Sequence, residues 1–175
     1  MNFELKTLTH ARLCTEKCDA LVVLVPQDIS SSSGADPLSV LTALAIKSGD
    51  LETKAGKLIS SYRSAGLTAT RLILVSCGDG SAKSVRSAVL AAVNSLKSSN
   101  VKRVVLSLCA FEDLSSDMVR TALVACGDAA YSYATTKSKP IPVKLEQIAL
   151  AVPNAARVKP GFEKGQALVK GIALA

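Results

Sequence analysis

Ala20-Leu-Val-Val-Leu-Val25 is six apolar residues in a row, closed by Pro26. A run this short, with no polar alternation, reads as a strand covered on both faces. Leu72-Ile-Leu-Val75 and Val104-Val-Leu106 repeat the pattern. Helical periods lie between and after them. Strands that must be covered twice, alternating with amphipathic helices, predict a three-layer α/β/α sandwich around a mixed, mostly parallel sheet.

The remaining elements fit this frame. Asn2 to Thr9 alternates, with Phe3, Leu5 and Thr7 on one side, so it reads as a half-buried strand near an edge. Gln27 to Ala35, with four consecutive serines, reads as a loop. Asp36-Pro37 starts a helix, because Asp36 can accept from the first-turn N–H groups and Pro37 suits the first helical position. Its stripe is Leu38, Leu41 and Leu44/Ala45, and Gly49 stops it. Lys57–Arg63 and Arg71–Cys77 form a hairpin, the antiparallel part of the sheet. The next helix carries Val85, Val89, Ala92/Val93 and Leu96 on its apolar side. Arg103–Cys109 and Leu145–Val152 are strands, and between them Ser115/Ser116 cap a helix with Met118, Ala122, Cys126, Ala129/Ala130 and Tyr133 on one side. Thr135 to Pro142 is a polar connection. Pro160 is expected to open the last helix, with Phe162, Val169 and Ile172/Ala173 inward. That stripe runs to Ala175 without a stop signal, so the helix is expected to continue toward a further domain of a longer polypeptide.

Composition narrows the function. With no Trp and only three Phe and three Tyr, the core must be aliphatic. No apolar run approaches the roughly 20 residues of a membrane helix, and the N-terminus lacks a signal-peptide pattern. Five cysteines, at 14, 18, 77, 109 and 126, read as free thiols of a reducing, cytoplasmic compartment. Cys14 and Cys18 are the only close pair, and with His10 the sole histidine a zinc site is not expected. The net charge of +7 is uneven: residues 1–50 hold four Lys/Arg against six Asp/Glu, whereas 51–100 hold seven against two. That balance permits an encounter with nucleic acid, but no aromatic residues interleave with the cations to form a stacking platform.

The chemistry-bearing residues are few. His10 reads as a surface residue at a strand end. Glu112-Asp113 sits before a helix start, where negative charge suits the dipole. Cys77-Gly-Asp-Gly-Ser-Ala82 joins a strand to a helix N-terminus, where free N–H groups can hold an anion. Lys83 breaks the dinucleotide fingerprint, so the turn reads either as a weak phosphate cradle or as a tight turn that needs glycine. No residue is assigned a catalytic, metal-binding or cofactor-binding role.

Ala20-Leu-Val-Val-Leu-Val25, Gly49-Asp-Leu51, Lys54-Ala-Gly56, Arg71-Leu-Ile-Leu-Val-Ser-Cys-Gly78, Val85-Arg-Ser-Ala88 and Gly165-Gln-Ala-Leu-Val-Lys-Gly-Ile-Ala-Leu-Ala175 come in an order that resembles the N-terminal domain of the leucyl (cytosol) aminopeptidases. The resemblance spans essentially the whole chain. It implies a macro-domain-like unit over 1–160, the start of an interdomain helix over 161–175, and a catalytic domain absent from this sequence. It further implies a cytoplasmic, homo-hexameric parent that releases N-terminal residues from peptides with two divalent metals, zinc, manganese or magnesium. Those metals would activate water and polarise the scissile carbonyl. The family's metal ligands and its Asn-Thr-Asp-Ala-Glu-Gly-Arg signature match no stretch of 1–175, so this segment is expected to be inactive and to hold no cofactor. Its expected role is assembly or regulation beside its own C-terminal catalytic domain. Two other readings stand beside it: a DNA-binding module, and an ADP-ribose or nucleotide binder that uses the Cys77–Ala82 turn.

Overall fold

Each all-apolar run becomes a strand inside one sheet. The computed structural model describes residues 1–29, 34–135 and 144–174, and the side chains of 131–135, 173 and 174 are not described. In chain order the elements are β1 (Asn2–Thr7), α1 (His10–Leu13), β2 (Ala20–Val25), α2 (Pro37–Lys47), β3 (Leu58–Tyr62), β4 (Arg71–Ser76), α3 (Ala82–Leu96), β5 (Arg103–Ser107), α4 (Ser116–Thr135), β6 (Gln147–Val152) and α5 (Ala155–Leu174). The sheet order is β1-β6-β5-β2-β4-β3, parallel throughout except for the antiparallel β3–β4 hairpin. The mixed, mostly parallel α/β sheet and the edge position of β1 are therefore as the sequence reads.

Strand side chains alternate between two cores. On one face Val22, Ile73, Leu106 and Leu150 meet α3, α4 and α5. On the other, Leu21, Val23, Leu72, Leu74 and Val105 meet Leu13 of α1 and Leu38 and Ala45 of α2. Every residue of β2 is buried, as expected of a central parallel strand covered twice.

Three expectations need correction. First, α5 begins at Ala155, and Pro160 lies inside it. Asn154 supplies the start instead, its Oδ1 accepting from Arg157 N–H at 3.3 Å. Second, Leu44 does not face inward: it is 57% exposed. The buried side of α2 is Leu38, Ser39, Thr42 and Ala45, and Thr42 enters the core by donating to the Leu38 carbonyl at 2.8 Å. Third, His10 opens a one-turn helix that the periodicity does not reveal. The serines at 30–33, the connection over 136–142 and the side chains of Tyr133 and Ala173 lie outside the described residues.

Candidate functional site

The turn between β4 and α3 sits at the carboxyl ends of the parallel strands, where open α/β sheets hold ligands. Gly78 (φ +51°) and Gly80 (φ +70°) are both left-handed, which explains two glycines so close together. A side chain at 80 would also press on the Phe111 ring, 3.3 Å from its Cβ. Between them, Asp79 turns its own carboxylate back onto the helix start. Its Oδ1 accepts from Ser81 N–H at 3.0 Å and from Ser84 Oγ at 2.7 Å. Ser81 Oγ in turn accepts from Ser84 N–H at 3.3 Å. These donors, the Ser84 hydroxyl first, hold the Asp79 carboxyl down at about 2. The start of α3 thus carries an anion of its own, and a second anion there would face its charge. The turn needs glycine for geometry and caps itself.

His10 is not the partnerless surface residue that the sequence suggests. Its Nδ1 lies 3.3 Å from Asp36 Oδ1 and 3.1 Å from Ser39 Oγ, and the ring is half-buried. Ser39 Oγ donates to Asp36 Oδ2 at 2.6 Å, and Ser39 N–H donates to Asp36 Oδ1 at 2.9 Å. Cys14 Sγ lies 3.7 Å from the same oxygen. Serine, histidine and aspartate are together, but in the wrong order for nucleophilic catalysis. A triad places the imidazole between its partners, one on each ring nitrogen. Here both partners meet Nδ1, the carboxylate bonds the hydroxyl directly, and Ser39 is 3% exposed. Burial alone would raise the Asp36 carboxyl, but the Ser39 donors and His10 hold it below its ordinary value. The cluster is the N-cap of α2 extended to tie α1 down.

The five thiols are free. Burial pushes Cys77 and Cys126 up to about 12 and Cys18 to about 11. They stay protonated at neutral pH, which suits packing and not nucleophilic attack. Glu112 and Asp113 precede α4, whose cap is Ser115 Oγ accepting from Met118 N–H at 3.2 Å. Among the described residues no group of three or more His, Cys, Asp or Glu could hold a metal ion. No helix among them is long and apolar enough to cross a membrane.

The fold is an α/β domain in which the polar clusters at Asp36 and Asp79 cap α2 and α3. The sequence profile of the cytosol aminopeptidase family, N-terminal domain, matches residues 22–140, and the chain belongs to that family. A probable cytosol aminopeptidase of Polaromonas sp. is 55% identical over 175 residues, which are all of this chain and 34% of that protein. One from Verminephrobacter eiseniae is 45% identical over the same span, 33% of its length. The chain thus spans about a third of these relatives. A solved tomato leucine aminopeptidase mutant superposes with a TM-score of 0.73 at 17% identity, covering 99% of this chain and 37% of that one. At that identity it speaks for the fold.

Proposed function

We propose that this chain is the non-catalytic N-terminal part of a larger cytoplasmic metallo-aminopeptidase, serving assembly or regulation of the catalytic part. One observation carries the reading: the whole chain aligns to only a third of each relative, and the matching profile is that of an N-terminal domain. The two divalent metals, the peptide substrates and the hydrolytic residues then belong to the remaining two-thirds. The unit over 1–160 serves as the folded body, with 161–175 leading to the catalytic domain, so that α5 belongs to both. The parent assembles as a homo-hexamer.

Two measurements test this. The chain alone, incubated with leucyl-p-nitroanilide and manganese, gives no turnover; clear metal-dependent hydrolysis overturns the reading. Removing this region from the parent lowers the assembled fraction in sedimentation or alters peptide turnover. A truncated parent with unchanged size and kinetics removes the assembly and regulatory role.

A further inference from the structure

The geometry points to the free edge of β3 as the docking site for an extended segment of another protein in which acidic and aliphatic residues alternate. Among the described residues β3 ends the sheet and pairs only with β4. In an antiparallel pair, alternate residues give both backbone groups to the neighbour. Lys57 C=O accepts from Ser76 N–H at 2.8 Å, and Arg63 N–H donates to the Thr70 carbonyl at 2.8 Å, so the odd-numbered residues face β4. The N–H and C=O groups of Leu58, Ser60 and Tyr62 therefore point outward, a template for strand addition. The opposite edge differs. There the Phe3 carbonyl of β1 accepts from Gln166 Nε2 of α5 at 3.4 Å, and Thr7 Oγ1 accepts from Ala155 N–H at 3.3 Å.

Side chains beside the edge state what the added strand must carry. On the α2 side, Ile59 and Ser61 line an open groove with Leu41, Ser64, Leu72 and Leu74. Leu44, one turn on from Leu41 in α2, is exposed. On the other side, the Arg71 guanidinium lies 5.2 Å from the Tyr62 ring centroid, and Arg71 Nε donates to Ser60 Oγ at 2.8 Å. Residues directly opposite share a face of the sheet. Aliphatic residues thus belong opposite Ile59 and Ser61, and acidic ones opposite Ser60 and Tyr62, beside Arg71.

Charge decides between occupants. Residues 53–78 hold Lys54, Lys57, Arg63 and Arg71 and no Asp or Glu. Lys57 also has Glu52 at 3.3 Å, at the margin of this field. A second copy paired antiparallel about Ser60 would set Lys57 against the partner's Arg63, a repulsive match. The last element, α5, packs on α4 and β1, at the opposite end of the sheet from β3.

The test is an NMR titration of the isotope-labelled 175-residue chain with acetyl-Glu-Val-Glu-Val-Glu-amide and with its Lys-Val-Lys-Val-Lys counterpart. Expected are saturable shifts of the Leu58, Ser60 and Tyr62 amides with the acidic peptide, and binding at least about tenfold weaker for the basic one, the scale of one lost charge-assisted contact. Ser60→Pro removes an outward N–H and leaves the β4 bonds in place, so it should weaken binding about tenfold, the effect of one lost hydrogen bond. Arg71→Gln removes the cation beside Ser60 and Tyr62 without touching a ladder N–H, and it too should weaken the acidic peptide. Absence of saturable shifts, equal binding of the two peptides, or full affinity in a folded Ser60→Pro overturns the proposal. So does a dimer that Ser60→Pro dissolves, or a DNA duplex that shifts the same amides in place of the peptide.

Discussion

The two faces of the sheet are held by different physics. The face under α3, α4 and α5 carries helices of 15, 20 and 20 residues that lock together by close apolar approach. Glycines make that approach possible. A Cβ at Gly161 would run into the Ser116 carbonyl, one at Gly165 would sit 2.9 Å from Leu123 Cδ2, and one at Gly127 would sit 2.8 Å from Val169 Cγ2. Among the described residues the other face has only the 4-residue α1 and the 11-residue α2. Its lock is polar: Asp36, Ser39 and His10 hold the two helix starts together. α2 even turns Thr42 inward and leaves Val40 and Leu44 outside, 47% and 57% exposed. Long helices earn their place through contact area, whereas short ones rely on directed hydrogen bonds. The first lock should fail under steric change, and the second under loss of one carboxylate.

The largest effect expected is from Gly161→Ala. Its Cβ meets backbone, which cannot rotate away, so α5 must leave α4 and the cost should exceed about 3 kcal/mol. Gly171→Ala, with nothing within 4 Å, is the control and should be neutral or stabilise the helix by about 0.5 kcal/mol. Urea unfolding of both variants separates steric locking from helix propensity. Equal stabilities would break the account of the α4–α5 face. Leu38→Ala comes next. Leu38 is fully buried beneath α2, and a cavity there should cost about 3 kcal/mol by the same measurement. Asp36→Ala should cost about 1 kcal/mol as a lost N-cap. It should also speed hydrogen exchange in α1 and α2 while leaving α4 and α5 protected. Uniform loosening of both faces would show that the polar lock is not local.

The same contrast governs what the sequence discloses. Strands of unbroken Val, Leu and Ile have one physical outcome, so β2, β4 and β5 are legible, and Asp36-Pro37 and Gly49 punctuate α2 unambiguously. The inward side of α2 is not legible. Leu38, Val40, Leu41, Ala43, Leu44, Ala45 and Ile46 surround the helix, so periodicity cannot choose a face, and the buried Ser39 and Thr42 look like surface residues until Asp36 and the Leu38 carbonyl receive them. α1 is a single turn, shorter than any period. Its one cue is Thr9, which accepts from Arg12 N–H at 3.3 Å. Pro160 misleads because proline commonly opens helices, whereas here Asn154 does so and the proline is absorbed within α5. The His10 cluster joins residues 26 and 29 positions apart, a proximity only the fold creates. The Asp79 self-cap, by contrast, is local, and Asp79 set two residues before Ser81 is a cue readable in advance.

The smallest effects concern that self-cap, which belongs to the well-locked face yet is polar and exposed. The folded Asp79 carboxyl titrates at about 2, below the ordinary value of about 3.9. A depressed folded value means that the stabilisation is complete above the ordinary value and is lost as pH falls through the folded one. Between about pH 4 and pH 2, exchange of the Ser81 and Ser84 amides should therefore rise while the interior of α3, anchored by Val85, Val89 and Val93, stays protected. In Asp79→Asn the amide oxygen still accepts but carries no charge, so this window should vanish for those two amides. Asp36 is also depressed, by Ser39 and His10 against its own burial, so acid should release the start of α2 as well. The two starts should differ in extent. At α2 the loss reaches α1 through His10, whereas at α3 it stops at the first turn. Acid exchange that opened α3 along its length while sparing α1 would reverse the assignment of the polar lock to the thinner face.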